Sequence, residues 1–213
     1  MKHLSDQELM RIVQAGDPSP ASEIYDRYST KIYNLAYRFL RNAQLAEDAT
    51  QDVFVKMLKH ASSFNNDARL LTWLFTITAN WCRDHMRRSE NRNRASVEVL
   101  DELAAPVERF DPYRVLERNE AERRVARALD KLKFDQRQAV VLSRYEGLSY
   151  AEIAKIAGCS EGAVKTRVFR AMEVLKAALI EEQESRKRGR GAEDAVEGEE
   201  AGDGESHPEV TNA

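Results

Sequence analysis

The sequence has few of the residues on which catalytic, metal-binding and disulfide-bonded proteins depend. Its 213 residues include two cysteines, Cys82 and Cys159, and four histidines, which are scattered and form no metal-site pattern. Neither a disulfide framework nor a zinc site is therefore predicted, and we expect both cysteines to be small buried side chains. A glycine-rich phosphate loop and a nucleophile motif are also missing, so we expect no catalytic residue, no metal, no cofactor and no enzymatic activity.

Long hydrophobic runs are missing as well. No stretch approaches the ~20 apolar residues that span a bilayer. The first six residues, Met-Lys-His-Leu-Ser-Asp, lack the apolar core of a signal peptide. The chain is 42% hydrophobic and 32% charged, which is the composition of a polar globular protein. We therefore expect a cytoplasmic protein without membrane insertion.

Helical periodicity is present almost throughout, and no strand pattern competes with it. Ser5 and Glu8 form a capping box that begins a short first helix. Apolar residues then recur at three- and four-residue steps in three more helices, between Tyr25 and Phe39, over about 43–60 and over about 71–88. The third helix carries its apolar stripe at Ala46, Ala49, Val53 and Met57. In the fourth helix we assign Trp73, Leu74, Ile77 and Trp81 to the core, and a basic end follows at Arg83, Arg87, Arg88, Arg92 and Arg94.

Periodicity is lost between Ser89 and Tyr113, where two prolines stand, and resumes at Ala121. Asp135 is the expected N-cap of a further helix. The sequence thus predicts an all-α fold of two small helical domains joined by a flexible linker. We divide the chain into a first domain over 1–89, a linker over 90–118, a second domain over 119–180 and a tail over 181–213.

Two short capped helices lie between residues 147 and 171. Ser149 and Glu152 form a capping box that begins the first of them, and Gly158 ends it. Ser160 then caps the second. Two short helices separated by a turn with glycine are the pattern of a helix-turn-helix.

The second of these helices has one apolar and one basic face. Val164 and Val168 are four residues apart, so they share the side that can pack against the preceding helix. The other side carries Lys165, Thr166, Arg167 and Arg170. Such side chains can reach phosphates and base edges when a helix lies in a major groove. The pattern therefore predicts a DNA-reading helix, and the alternative at this point is an ordinary helical hairpin whose basic side chains are solvated.

Charge is unevenly distributed along the chain. The net charge is −3, but eleven acidic and four basic residues follow residue 180, a balance of −7 that leaves +4 for residues 1–180. The tail begins with a basic cluster and ends with eight acidic residues between Glu193 and Glu209. Because this segment has little apolar surface to bury, we predict that it is disordered.

Two sets of motifs resemble the extracytoplasmic-function (ECF) sigma factors of bacterial RNA polymerase. Residues 46–54, Ala-Glu-Asp-Ala-Thr-Gln-Asp-Val-Phe, then residues 72–80, Thr-Trp-Leu-Phe-Thr-Ile-Thr-Ala-Asn, and the pair Arg87-Arg88 look like region 2 of that family. Gln-Arg-Gln at 136–138, Gly-Leu-Ser-Tyr at 147–150 and Gly-Ala-Val-Lys-Thr-Arg at 162–167 look like region 4. The resemblance covers about residues 5–180, in the family's order and spacing.

The resemblance implies a subunit that binds the polymerase core and directs it to promoters, in a stress or envelope-signal response. It implies that the clamp of the largest core subunit is contacted by Glu47, Asp48, Gln51 and Asp52. It assigns the minus-10 element, read as melted DNA, to Phe64, Asn65, Asn66, Asn80, Arg83, Arg87 and Arg88. It assigns the duplex minus-35 element to Lys165, Thr166, Arg167, Phe169 and Arg170. At Met172 the chain departs from the family, where a basic residue is common. An anti-sigma partner and a monomeric free state are also implied.

Two other classes of protein fit part of the sequence. A stand-alone regulator that binds duplex DNA would account for the helix-turn-helix, but it leaves the acidic face at 47–52 and the basic end of the fourth helix unexplained. A sigma-like adaptor without DNA binding would not need the basic helix at 165–170. A regulator should dimerise and bind palindromic DNA unaided, whereas a sigma factor needs polymerase.

Overall fold

The computed structural model describes the backbone of residues 3–95 and 120–200 and the side chains of residues 3–89 and 123–184. Within these ranges the chain contains only helices and connecting turns, which confirms the all-α prediction. The elements are α1 (Asp6–Gln14), α2 (Ala21–Leu40), α3 (Ala43–Lys59), a 3-10 turn (Ala61–Ser63), α4 (Leu70–Ala95), α5 (Glu120–Asp130), α6 (Phe134–Arg144), α7 (Tyr150–Ala157) and α8 (Glu161–Glu200). The predicted linker lies mostly outside the described residues. None of the described helices is long and apolar enough to cross a membrane.

The N-terminal half, residues 3–95, is a bundle in which α2, α3 and α4 pack against one another. Its first helix begins at the predicted capping box, where the Ser5 amide donates to a Glu8 carboxylate oxygen at 2.7 Å. The predicted stripe of α3 is fully buried at Ala46, Ala49, Val53 and Met57. In α2 the periodic residues Ile32, Leu35 and Phe39 are buried, whereas Tyr25 is 43% exposed.

The C-terminal half, residues 120–200, contains the predicted helix-turn-helix as α7 and α8. Ser149 caps α7 together with Glu152, and Gly158 ends it with a φ of +62°, a left-handed conformation that glycine adopts without strain. Ser160 Oγ accepts from the Ala163 amide at 3.2 Å, which confirms the second cap. The Asp135 prediction is wrong. The N-cap of α6 is Lys133, and its amide donates to the Gln136 side chain.

The two halves pack directly against each other, which the sequence did not predict. Helix α2 contacts α6, and α4 contacts both α6 and α7, so one hydrophobic cluster includes residues from both halves. At its centre the Phe39 ring meets the Phe134 ring edge-on, with centroids 5.7 Å apart. Two ion pairs also cross the contact, Arg38 with Glu146 at 3.5 Å and Arg41 with Asp130 at 3.2 Å.

The tail prediction requires correction between residues 181 and 200, where the backbone continues α8 as a helix. The start of this extension is held by contacts to α5 and to the turn that follows it. Lys131 Nζ in the turn lies 2.8 Å from a Glu181 carboxylate oxygen, and Arg127 of α5 pairs with Glu182. Ala178 and Leu179 pack in the same cluster as α5. Glutamates and alanines in this segment favour a helix, whereas Gly189, Gly191 and Gly198 oppose it. Residues 201–213 lie outside the described part of the chain.

Candidate nucleic-acid and partner-binding surfaces

The four residues of α3 that the resemblance assigns to a partner form an exposed patch, here called the acidic α3 face. Glu47, Asp48, Gln51 and Asp52 are all exposed and lie away from the buried stripe of the same helix. One of them is not free. Asp52 accepts a hydrogen bond from the indole Nε1 of Trp81 on α4, at 2.7 Å. The face is therefore accessible along its length and anchored to α4 at one end.

The loop before α4 places its three predicted DNA residues in different environments. Phe64 is only 4% exposed, and its ring packs 5.1 Å from that of Trp73. Asn66 is partly buried and donates to the Gln14 side chain at 2.7 Å. Asn65 is exposed, and its side-chain oxygen accepts from the Asp67 amide. In this arrangement Asn65 faces solvent, while Phe64 and Asn66 support the loop from beneath.

Helix α4 presents Asn80 and a row of arginines. Asn80 is exposed, and its side-chain oxygen accepts from Arg83 Nη1 at 3.0 Å. Arg87 and Arg88 are exposed, while Arg83 is half-buried. The side chains of Arg92 and Arg94 lie outside the described residues. The core assignment is confirmed for Leu74, but Trp73, Ile77 and Trp81 are only partly buried and lie at the edge of the cluster.

The predicted DNA-reading helix is the first part of α8. Lys165, Thr166, Phe169 and Arg170 are exposed, and Phe169 has 63% of its surface accessible. Arg167 is partly buried instead. Its guanidinium lies 2.8 Å from an Asp135 carboxylate oxygen and donates to Cys159 Sγ. Cys159 is thus half-buried rather than a core residue, whereas Cys82 is fully buried, and burial raises the pKa of its thiol.

The packing of the two halves brings predicted residues from both DNA-binding sets around one cleft. Arg83 and Arg87 of α4 face Thr166, Arg167 and Arg170 of α8 across a space of about 470 Å³. The residues of the acidic α3 face do not line this space. Phe169 borders a different, apolar groove of about 730 Å³ between α5, α6 and α8. The predicted minus-35 set therefore divides between two sides of α8.

Sequence reasoning missed the residues that hold the halves together. Gln138 is fully buried, and its side-chain oxygen accepts from Arg83 Nη2 at 2.8 Å. Glu146 is paired with Arg38, while burial raises the pKa of its carboxyl. Arg137 is 8% exposed although it is charged. The apolar run Ala139 to Leu142, which follows Gln138, was the available signal that this part of α6 is buried on several sides.

Local electrostatics fit the helix caps and give no sign of a metal site. The hydrogen bonds from the Ser149 amide and hydroxyl lower the pKa of Glu152. Ser5 does the same for Glu8. Among the described side chains, no group of three or more histidine, cysteine or carboxylate residues is arranged to hold a metal ion.

Comparison with known proteins matches both halves of the chain. Sigma-70 region 2 matches residues 24–92, and Sigma-70 region 4 matches residues 122–175. The RNA polymerase sigma-H factor of Pseudomonas aeruginosa is 34% identical over 184 residues, which cover 82% of this chain and 93% of the relative. The ECF RNA polymerase sigma-E factor of Escherichia coli K12 is 31% identical over 180 residues, with 82% and 94% covered.

Two solved structures share the fold. One is the sigma factor RpoE in complex with the anti-sigma factor NepR from Bartonella quintana, with a TM-score of 0.59, 28% identity, and 74% of this chain and 95% of that chain covered. The other is CnrH in complex with the cytosolic domain of CnrY, with a TM-score of 0.58, 26% identity, and 82% and 96% covered. Because both halves match sigma regions in the sigma order, a stand-alone regulator is not favoured. The chain belongs to the ECF family of RNA polymerase sigma factors.

Proposed function

We propose that this sigma factor docks on the clamp of the largest polymerase subunit through the acidic α3 face, and that it acts where polymerase works, in the cytoplasm. The observation that carries this proposal is the exposure of Glu47, Asp48, Gln51 and Asp52 on one helix whose opposite side is buried. Acid and amide groups at steps of three and four residues share one face, so they can meet a basic partner surface together. The protein's role is then to position polymerase and requires no catalytic group of its own.

We propose further that α4 and the loop before it receive the melted minus-10 element. Asn80 and Asn65 are exposed amides that can bond the edges of unstacked bases. Arg87 and Arg88 are exposed and can contact phosphates without reading sequence. Phe64 and Trp73 support the loop before α4 from its buried side, since their rings pack together.

For the minus-35 element, we propose that Lys165, Thr166 and Arg170 of α8 enter the major groove. Their exposure on α8 supports this role. Arg167 would have to leave Asp135 before contacting DNA, because its guanidinium is paired there. Met172 is 42% exposed and borders the apolar groove. Because its thioether has no charge and no hydrogen-bond donor, it cannot supply the basic contact to the DNA backbone that is common in the family.

Charge reversal on the acidic α3 face tests the docking proposal. Asp48→Arg should abolish capture by purified core polymerase and run-off transcription, because like charges would then oppose each other at the docking surface. Asp48 is suited to this test because Asp52 is engaged by Trp81, so altering Asp52 would also remove that hydrogen bond. The matched control is Asp26→Arg, which changes an exposed acid on α2.

Asn80→Ala separates docking from DNA reading. The variant should be captured by core polymerase normally but give little permanganate reactivity in the promoter bubble. Normal polymerase capture by Asp48→Arg, or failed capture by Asn80→Ala, would contradict the roles proposed for the two helices. One of the related structures is a complex of a sigma factor with an anti-sigma factor, and we propose that such a protein also restrains this chain until a stress or envelope signal releases it.

A further inference from the structure

Basic side chains from three helices converge on the cleft between α4 and α8, called the cationic cleft from here on. Arg83 and Arg87 line it from α4, Lys133 stands at the start of α6, and Arg167 and Arg170 line it from α8. The cleft has a volume of about 470 Å³. It exists only because the two halves pack together, since neither half alone supplies all of its walls.

Little negative charge balances these five cations. Asp135 is the acidic residue that lines the cleft, and it is paired with Arg167 at 2.8 Å. Arg83 donates to the neutral amides of Asn80 and Gln138. Arg87 reaches Asp84 only at 3.8 Å, in an exposed pair.

The remaining two cations, Lys133 and Arg170, have no acidic partner within the part of the chain that the structure describes. Like charges held near one another destabilise the arrangement that brings them together. An anion in the cleft would remove that repulsion.

The size of the cleft limits the anion. Clefts of about 300–1,000 Å³ are typical of small-molecule sites, and a space of about 470 Å³ is too small to enclose a DNA duplex, whose major groove alone is about 12 Å wide. Arginine binds phosphate oxygens through parallel N–H donors, and lysine adds a point charge. We propose that the cationic cleft binds a small oligophosphate, either free or as the phosphate chain of a nucleotide.

Such a ligand would favour the packed arrangement, because it would bridge α4 and α8. It would therefore oppose promoter binding by the same arginines, and this regulatory consequence rests on the proposed function. The binding step itself does not, because it requires neither polymerase nor promoter DNA.

Calorimetric titration of the full-length protein tests the site, with sodium tripolyphosphate as the probe and orthophosphate and ATP in parallel. Tripolyphosphate should bind at one site per chain and raise the melting temperature, since it binds the folded state alone. Orthophosphate should bind at least tenfold more weakly. ATP binding as tight as tripolyphosphate or tighter indicates a nucleotide as the natural source, and weaker ATP binding indicates a free oligophosphate. Sulfate at matched ionic strength should not reproduce the effect.

Variants locate the site. Lys133→Gln combined with Arg170→Gln should weaken tripolyphosphate binding at least tenfold, and Arg87→Gln should weaken it from the α4 side. The matched control is Lys155→Gln combined with Lys176→Gln, which removes the same charge from exposed positions outside the cleft. Equal weakening by the two pairs, no effect of Arg87→Gln, or equal binding of sulfate would overturn the site. Lost tripolyphosphate binding with fully retained promoter-specific transcription in these variants would instead confirm the site and count against the DNA contacts proposed for Arg87 and Arg170.

Discussion

At the scale of single residues, Arg137 joins the two halves because it donates hydrogen bonds to carbonyl oxygens at the C-terminal ends of two helices, one in each half. Its guanidinium donates to the carbonyl oxygens of Phe39, at the end of α2, and of Leu129, at the end of α5, both at 2.9 Å. It also donates to the Asp130 carbonyl at 3.1 Å. Carbonyls at helix C-termini lack intrahelical partners and attract cations. Burial lowers the pKa of Arg137, and the charge of Asp130 opposes that effect.

Arg137→Met should therefore destabilise the protein by about 2–4 kcal/mol, because buried carbonyls at two helix ends would lose their donor. The measurement is the free energy of unfolding in urea. Arg144→Met is the control, since Arg144 is exposed on the same helix and such surface changes usually fall within about ±0.5 kcal/mol. Equal losses in the two variants would mean that Arg137 acts only as a surface charge.

The distance along the chain between contacting residues decides how far the sequence can predict the environment of an individual residue. The capping boxes at Ser5 and Ser149 were predictable because each joins residues three positions apart. The bond from Arg137 to Phe39 spans 98 positions, and no local pattern encodes it. Phe64 was assigned to a DNA pocket by resemblance, but its burial against Trp73 depends on how the loop folds back.

At the scale of helices, α8 serves three purposes along its length. Val164 and Val168 near its start are buried in the cluster that also contains α7. Ala171, Leu175 and Ala178 then pack with residues of α5 and α6. Glu181 and Glu182 extend the contact to α5 through ion pairs. The periodicity of the helix-turn-helix predicted the first part of α8. Beyond residue 180, the charge composition of the tail suggested disorder, because composition does not show that the glutamates pair with cations in and just after α5.

Two C-terminal truncations test which residues of α8 and the tail contribute to the stability of the fold. Deleting residues 191–213 should leave the thermal unfolding transition unchanged. Deleting residues 178–213 should cost roughly 2 kcal/mol, because Ala178, Leu179 and the pairs of Glu181 and Glu182 are lost, and burying one aliphatic side chain contributes about that much. Circular dichroism melting of both variants provides the measurement. A similar loss in the shorter deletion would place residues 191–213 within the cooperative fold.

At the scale of the whole molecule, the packed arrangement conflicts with simultaneous contact to both promoter elements. The minus-10 and minus-35 elements are centred at promoter positions that differ by roughly 25 base pairs, and at 3.4 Å per base pair this separation is about 85 Å of duplex. In the structure, residues proposed for both elements line one cleft of about 470 Å³. Under the proposed assignments, the halves must therefore separate before a promoter can be fully engaged. The sequence predicted two domains and the residues of each, but the contact between them arises from surfaces that have no shared motif.

Reversing one charge at the contact should favour separation. Arg38 lies 3.5 Å from Glu146 and stacks over the Tyr145 ring at 4.7 Å, so Arg38→Glu would place two carboxylates together and remove the stacking. We expect a larger radius of gyration of the free protein by small-angle X-ray scattering, with unchanged helical content. Together with core polymerase, we expect several-fold tighter binding to a fragment that carries both elements and has the minus-10 element unpaired. Adding Glu146→Arg to the same chain restores an opposite-charge pair but not the stacking on Tyr145, so it should reverse both changes in part. If the single variant leaves both quantities unchanged, or if the double variant fails to reverse them, this ion pair does not hold the halves together.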